Sequence, residues 1–417
     1  MTSNEIVLPE ISVDQDRLWQ TYVEMSKIGA TENGGVCRLA LTDEDKEGRD
    51  LFVTWCREAG CEILVDQMGN VFARRRGKSN ELPPVVTGSH NDTQPNGGRF
   101  DGTYGVLAGL EVIRTLNDAG IETMSPIEVV LWTNEEGVRF RPPMIASAVY
   151  AGVFDLDFGL SREDKDGKTI GQELERIGYA GDVPIGREIG AYFEAHIEQG
   201  PVLEAEGKEI GVVTGILGIR AYEVTLTGQE SHSGPTPMDR RKDAFVGVSK
   251  ICVAVHELAR RFDPEARITV GQCDISPNAP SVIPGKAVFT IDCRHPTMDG
   301  HEQLSAEITK ICEDVSQETG LRLNMEVYWY FSCLQFHEGC VSAVRRAAQR
   351  REYSHREIAS GAGHDAVHIN GIAPTGMVFI PCENGLSHNE AENISPSDAA
   401  AGCNVLMDAI LEFAVPV

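Results

Sequence analysis

The alternation of apolar and polar positions along the chain predicts most of its elements. Apolar residues recur at helical spacing over 13–28 and 43–59, and a glycine follows each run, Gly29 and Gly60, as a helix stop requires. Short strand-like runs come next, at 61–66, 70–75 and 83–88. Residues 103–119 read as a helix ended by Gly120. The uninterrupted apolar run IEVVLWT at 127–133 has the length of a strand buried on both faces. Strand, helix, strand in that order predicts a sheet covered by helices.

The texture changes near residue 215, where two strand-like runs meet around Gly215 and Gly218. A helix (241–261), strands (268–275 and 286–293), a helix (301–318) and a strand (321–331) follow. This β-α-β-β-α-β order is the split pattern of ferredoxin-like domains. A helix (339–351), a strand (374–380) and a last helix (396–413) then return to the first texture. The expected fold class is α/β: a larger domain, residues 1–214 and 332–417, has a central sheet flanked by helices. A smaller α+β domain, residues 215–331, is inserted into it. A chain of 417 residues is long enough for two such cores.

Composition narrows the partners. The 63 Asp and Glu against 37 Lys and Arg leave a formal charge of −26, which repels phosphate backbones and anionic lipid. Neither nucleic acid nor a membrane is an expected partner. The 11 cysteines are odd in number and form no C-x-x-C pair, which suits free thiols in a reducing cytosol. The segment MTSNEIVLPEISVDQDRLW lacks the basic start and apolar core of a signal peptide. No run approaches the roughly 18 apolar residues of a membrane span. The expected location is the cytoplasm.

Four polar segments carry the candidate chemistry. In GSHNDTQPNGGRFDG (88–102), His90 closes a strand and Asp101 precedes a helix. They are eleven residues apart (101 − 90), so only a loop that folds back can join them, and its glycines permit that. Asp92, two residues after His90, could accept a hydrogen bond from the imidazole and fix its tautomer. In TNEEGVRF (133–140), the adjacent side chains of Glu135 and Glu136 diverge, so one can hold a metal while the other handles a proton. FEAHIEQG (193–200) puts His196 and Glu198 on one face of a strand with Gln199 beside them, and GLSHNEAE (385–392) puts His388 in a loop after a strand. Each segment has an ordinary alternative: a loop in which Asp101 caps the helix at 103, a solvated acidic turn, a core histidine, a surface histidine. Taken together, His90, Asp101, Glu136, His196 and His388 offer three histidines and two carboxylates to two ions, with Asp101 shared. Imidazole with carboxylate suits zinc, manganese or cobalt. Other chemistries find little support. There is no G-x-S-x-G elbow, no H-E-x-x-H, no phosphate-binding G-x-x-x-x-G-K and no dinucleotide G-x-G-x-x-G. GAGHDA (361–366) suits a backbone-lined ligand pocket.

These segments, with RPPM, HIEQGP, SHSGPTPM, SPNAPSVIPG and DCRHP, resemble the amidase, hydantoinase and carbamoylase branch of the dinuclear metallopeptidase superfamily. Within it the likeness is to N-carbamoyl-L-amino-acid hydrolases and bacterial β-ureidopropionases, with allantoate amidohydrolases as near relatives. It runs from about residue 15 to the C-terminus. The resemblance implies two divalent ions per subunit, zinc first, with manganese, cobalt or nickel as alternatives. His90, Asp101, Glu136, His196 and His388 would be the ligands, Asp101 bridging. Glu135 would be the general base, and His232 would stabilise the oxyanion. Asn278 and Arg294 would hold the substrate carboxylate, and Gln199, Gly363 and His364 would line the pocket. The substrate would be a small ureido acid, cleaved at its carbamoyl C–N bond. The inserted domain would be a lid and dimerisation domain, hinged at Gly215 and Gly218. The assembly would be a homodimer in which His232 reaches into the partner's site. An allantoate-type hydrolase would keep every one of these residues. A metallo-aminopeptidase or acylase would share the metal box, but Asn278 and Arg294 match the ureido-acid branch. A binding protein without activity would have lost a ligand or the base, and none is lost.

Overall fold

A computed structural model describes residues 8–262, 264 and 266–415. The first seven residues of the segment read for a leader lie outside these. The chain divides into two compact units, Met1–Thr214 with Phe336–Val417, and Gly215–Gln335. The first is mixed α/β, built on a central sheet of parallel and antiparallel strands. Its inner strands run in the order Ile127–Trp132, Val85–His90, Ala191–Ile197 and Thr375–Ile380, each parallel to the next. Every residue of these four strands is buried, as their apolar sequences require when helices cover both faces.

Two long helices, Thr103–Asp118 and Pro396–Ala414, pack on this sheet and on each other. The second begins as its sequence dictates, with the Ser395 hydroxyl accepting from the Asp398 N–H and proline in the first turn. The first begins differently. Its cap position is Gly102, at φ 64°, and no side chain caps it. Asp101 therefore does not cap this helix, and its carboxylate is free to face elsewhere. Gly105 lets the helix lie close on the sheet, since a Cβ there would stand 2.3 Å from the Ala195 carbonyl oxygen. That approach brings the helix start to the ends of the inner strands.

The second unit holds a four-stranded antiparallel sheet in the order Arg322–Phe331, Gly218–Thr227, Lys286–His295, Arg267–Ser276. Helices Ala244–Arg261 and Met298–Thr319 pack against it. Ala287, Phe289, Ile291 and Cys293 are buried in alternation along one strand, the pattern of a sheet with one covered face. His295 continues that buried face. Its ring fills the space over Gly300, where a Cβ would lie 1.9 Å from it, and so packs the helix start.

Helices Ile145–Tyr150, Leu156–Leu160 and Ile170–Ile177 and strand His355–Ser360 have no counterpart in the sequence pattern. They are short, and the strand is polar. Among the described residues no helix is long and apolar enough to cross a membrane.

Candidate metal centre

Four neighbouring parallel strands end along one edge, and each delivers a polar group there, as open α/β sheets do. His90 closes Val85–His90, and Glu135 and Glu136 follow Ile127–Trp132. His196 lies one residue from the end of Ala191–Ile197, and His388 is in the loop after Thr375–Ile380. Asp101 comes to the same edge on the loop that leads into the helix.

The Asp101 carboxylate stands at the centre of the group. Its Oδ1 faces His196 Nε2 at 3.1 Å and His90 Nε2 at 3.7 Å. Its Oδ2 faces His388 Nε2 at 3.3 Å, and that same Nε2 is 3.5 Å from Glu136 Oε2. Two groups able to hold a cation result: His90, Asp101 and His196, and Asp101, Glu136 and His388. In each group one atom per residue lies within 4.8 Å of the others, and Asp101 belongs to both. Glu135 Oε2 is 3.5 Å from His90 Nε2 and belongs to neither.

The histidines are turned for ligation. His90 Nδ1 is 2.9 Å from the Asp92 carbonyl oxygen and His196 Nδ1 is 2.9 Å from the Ile197 carbonyl oxygen. Both nitrogens donate, which turns each Nε2 towards Asp101. Asp92 thus accepts from the His90 imidazole, as expected. It orients His90 with its backbone oxygen, while its carboxylate accepts from the backbone N–H groups of Glu135 and Glu136, at 3.2 Å each. Glu198, on the same strand face as His196, accepts from the N–H groups of Val202 and Leu203 and does not join the cluster.

The electrostatics call for cations. Burial pushes the Glu135 carboxyl well above its usual range, and Asp365, Glu136, Asp92 and Asp101 push it further. Burial and Asp101 raise Glu136 to about 8. Burial works against an ionised Asp101 too, but hydrogen bonds to His196 and His388 overcome it and hold that carboxyl well below the ordinary range. Gln199 donates from Nε2 to Asp101 Oδ2 at 2.8 Å, and its buried Oε1 has no partner among the described residues. A buried set of carboxylates and imidazole nitrogens with an unanswered amide oxygen fits divalent metal ions.

Three residues that sequence reasoning missed complete the group. Glu392 accepts from the N–H groups of Phe100 and Asp101 at 2.9 and 3.0 Å and so fixes the backbone of Asp101. Gln94 donates to Glu136 Oε2 at 2.7 Å, and Ser387 to Asp101 Oδ2 at 2.8 Å. The His364 ring packs on that of His196 with centroids 4.5 Å apart, and Gly363 lies against the Met144 thioether.

The remaining predicted residues belong to the second unit. His232 is exposed, and its Nδ1 accepts from the Gly234 N–H at 3.1 Å, which makes Nε2 the donor. Arg294 grips Asp292 through Nε and Nη2, at 2.8 and 3.2 Å. Asn278 follows the strand end at Ser276, with φ 50°. Ser276 pairs with Lys286, and Arg294 is eight residues further along that strand, about 27 Å away at ~3.4 Å per residue. His232 and Asn278 are thus at one end of this sheet, with Val282 opposite His232, and Arg294 is at the other.

Gly102 offers a direct test of the cluster. A Cβ there would lie 2.3 Å from the His90 ring, at a φ that L-residues rarely adopt. Gly102→Ala is expected to tilt His90 and weaken metal binding by about 10–100-fold, the usual cost of disturbing a ligand's support. Titration of the metal-free protein against a chromophoric chelator measures it. Unchanged affinity would show that His90 does not ligate.

The chain belongs to peptidase family M20/M25/M40, whose profile matches residues 86–412. It is 50% identical over 407 residues to an N-carbamoyl-L-amino-acid amidohydrolase of Rhizobium meliloti, covering 96% of this chain and 97% of that one. It is 34% identical to an allantoate amidohydrolase of Bacillus subtilis, over 94% of this chain and 96% of that one. Among solved structures, an amidase of the hydantoinase/carbamoylase family from Burkholderia multivorans superposes with a TM-score of 0.95. That protein is 57% identical, with 97% of this chain and 99% of that one covered.

Proposed function

We propose that this chain is a metal-dependent hydrolase of N-carbamoyl-L-amino acids, with N-carbamoyl-β-alanine in the same substrate class, giving the amino acid, carbon dioxide and ammonia. The observation that carries the reading is the carboxylate of Asp101 shared between two ligand trios, with Glu135 beside them. The 50% identity to the Rhizobium protein assigns that chemistry to carbamoyl amino acids. His90, Asp101 and His196 would hold one ion, and Asp101, Glu136 and His388 the other. Bound there, divalent ions, zinc first and manganese, cobalt or nickel next, supply a Lewis acid and lower the pKa of a water molecule.

The chain's own groups do the rest. Glu135 takes a proton from the attacking water, whose oxygen bonds to the ureido carbon. Burial favours the protonated carboxyl, which then returns the proton to the leaving nitrogen as the C–N bond breaks. Gln199 Oε1, buried and unpartnered, is an acceptor for a substrate N–H. The carbamic acid released decomposes to carbon dioxide and ammonia.

The substrate carboxylate needs Arg294 and Asn278, and the sheet keeps them about 27 Å apart within one chain. We therefore assign Arg294 and Asn278 of one site to different chains of a homodimer, with His232 reaching in from the partner subunit. The Nε2–H of that His232 is the donor to the oxyanion, a contribution of about 3–4 kcal/mol in comparable sites. Eleven free cysteines suit a cytosolic setting.

A second reading, allantoate hydrolysis, is favoured by the Bacillus relative and would use the same residues. Assay of the metal-loaded protein against N-carbamoyl-L-amino acids, N-carbamoyl-β-alanine, allantoate and dipeptides separates the two. The highest kcat/KM is expected on carbamoyl-L-amino acids. A higher value on allantoate would replace this reading with the second.

A further inference from the structure

Arg38 lies outside the matched family profile, which begins at residue 86. It is fully buried, and none of its side-chain hydrogen bonds goes to a carboxylate. A charged guanidinium in such a place needs a reason, because burial alone disfavours it. Burial does draw its pKa down to about 10, with Asp45 and Asp92 working in the opposite direction, so it stays charged at neutral pH.

Its hydrogen bonds converge on one loop. Nε donates to the Asn91 carbonyl at 3.1 Å, and Nη2 to the Asn91 side-chain oxygen at 3.1 Å. The Arg38 N–H donates to the Thr93 hydroxyl at 2.9 Å, and the Thr93 N–H donates to the Arg38 carbonyl at 2.9 Å. Four bonds thus bracket Asp92 from both sides. Nη2 also reaches the Thr103 hydroxyl at 3.0 Å, two residues after Asp101. Nη1 takes the Ile28 carbonyl at 3.0 Å, which anchors the guanidinium beyond the C-terminal end of helix Gln15–Met25.

Asp92 in turn is the residue on which the cluster hangs. Its carbonyl oxygen takes His90 Nδ1, and its two carboxylate oxygens take the N–H groups of Glu135 and Glu136. We propose that Arg38 is a positioning residue of the metal centre: by bracketing Asp92 it sets the angle of the His90 imidazole and the Glu135–Glu136 turn together. The proposal rests on the metal-dependent reading above. It makes the segment ahead of the matched family region part of the active centre's support.

The test uses the full chain freed of metal and titrated with Co2+, whose d–d absorption reports ligand geometry. Arg38→Lys keeps the charge and loses the planar fork. Its Co2+ affinity is expected to fall about 10–100-fold, with a shifted absorption band. The metal-saturated variant is expected to lose kcat by a similar factor, with KM changed little, because Glu135 moves and the carboxylate grip does not. A variant with a lower Tm but the parent's Co2+ affinity, spectrum and kcat would show a merely structural arginine and overturn the proposal. Should Arg38→Lys fail to fold, Asn91→Ala removes one acceptor and leaves the guanidinium in place. It is expected to weaken Co2+ binding several-fold, and parent-like binding there overturns the proposal as well. Co2+ binding is read without substrate. If the protein cleaves no ureido acid yet its Co2+ affinity depends on Arg38, the substrate reading fails and this one stands.

Discussion

Glu135→Gln is expected to lower kcat by about 10²–10⁴-fold while the protein keeps its full metal content. Glutamine has the shape of glutamate but cannot accept a proton from water. Glu135 is outside both ligand trios, so no metal contact is lost with its charge. The site tolerates the exchange well for another reason. The Glu135 carboxyl is crowded by Asp365, Glu136, Asp92 and Asp101, so a neutral amide relieves repulsion in the metal-free protein. The Tm of that form is expected to match or exceed the parent's. Glu136→Gln should behave in the opposite way. Glu136 Oε2 faces His388 Nε2 at 3.5 Å within the second trio, so this variant should lose metal. Elemental analysis of the two purified variants, with kcat measured on the same samples, separates base from ligand. A fully active Glu135→Gln protein would sink the assignment.

The contrast between neighbours shows what the sequence could and could not reveal. His90, Glu135, Glu136 and His196 were legible because each ends, or follows, an apolar run long enough to be a buried strand. Parallel strands release their polar groups along one edge, so three such ends point to one place. Asp101 was ambiguous, since an aspartate before a helix is a natural cap. The positive φ of Gly102 resolves it by placing glycine at the cap position, and nothing in an Asp-Gly pair announces that geometry. Asp92, Gln94 and Glu392 act on groups brought close by loops, and Glu392 reaches a backbone nearly three hundred positions away. Side-chain bonds to distant loop backbones leave no periodic trace. Arg38 was illegible for the same reason, because its acceptors are Asn91, Thr93 and Thr103. In the second unit the strand at 286–293 was legible. The distance it imposes between Asn278 and Arg294 was not, because it follows from the register with Ser276.

That distance leads to the largest effect expected of any experiment here. Glu135→Gln and His232→Ala are each expected to be nearly inactive as homodimers. One lacks the base and the other the donor to the oxyanion, each a loss on the order of 10²–10³-fold or more. When the two are mixed, dissociated and allowed to reassociate, mixed dimers form. If His232 serves the partner's site, one site of a mixed dimer collects both defects and the other collects neither. The clean site pairs an intact Glu135 with the intact His232 of the partner subunit. Random reassociation of equal amounts makes about half the dimers mixed, each with one sound site of two, so about a quarter of the parent's activity should return. If His232 serves its own chain, every site keeps one defect and mixing restores nothing. The same logic extends to the carboxylate grip. Arg294→Ala should complement Asn278→Ala, because the sheet separates these residues within a chain and the assignment gives them to opposite chains. Activity that stays absent in the Glu135–His232 mixture, after subunit exchange has been confirmed with a fluorescent label, would exclude the shared site. A mixture of Arg294→Ala with Glu135→Gln then tells which chain brings the arginine: restored activity assigns it to the partner subunit of the one that holds Glu135, and a dead mixture assigns it to the same chain.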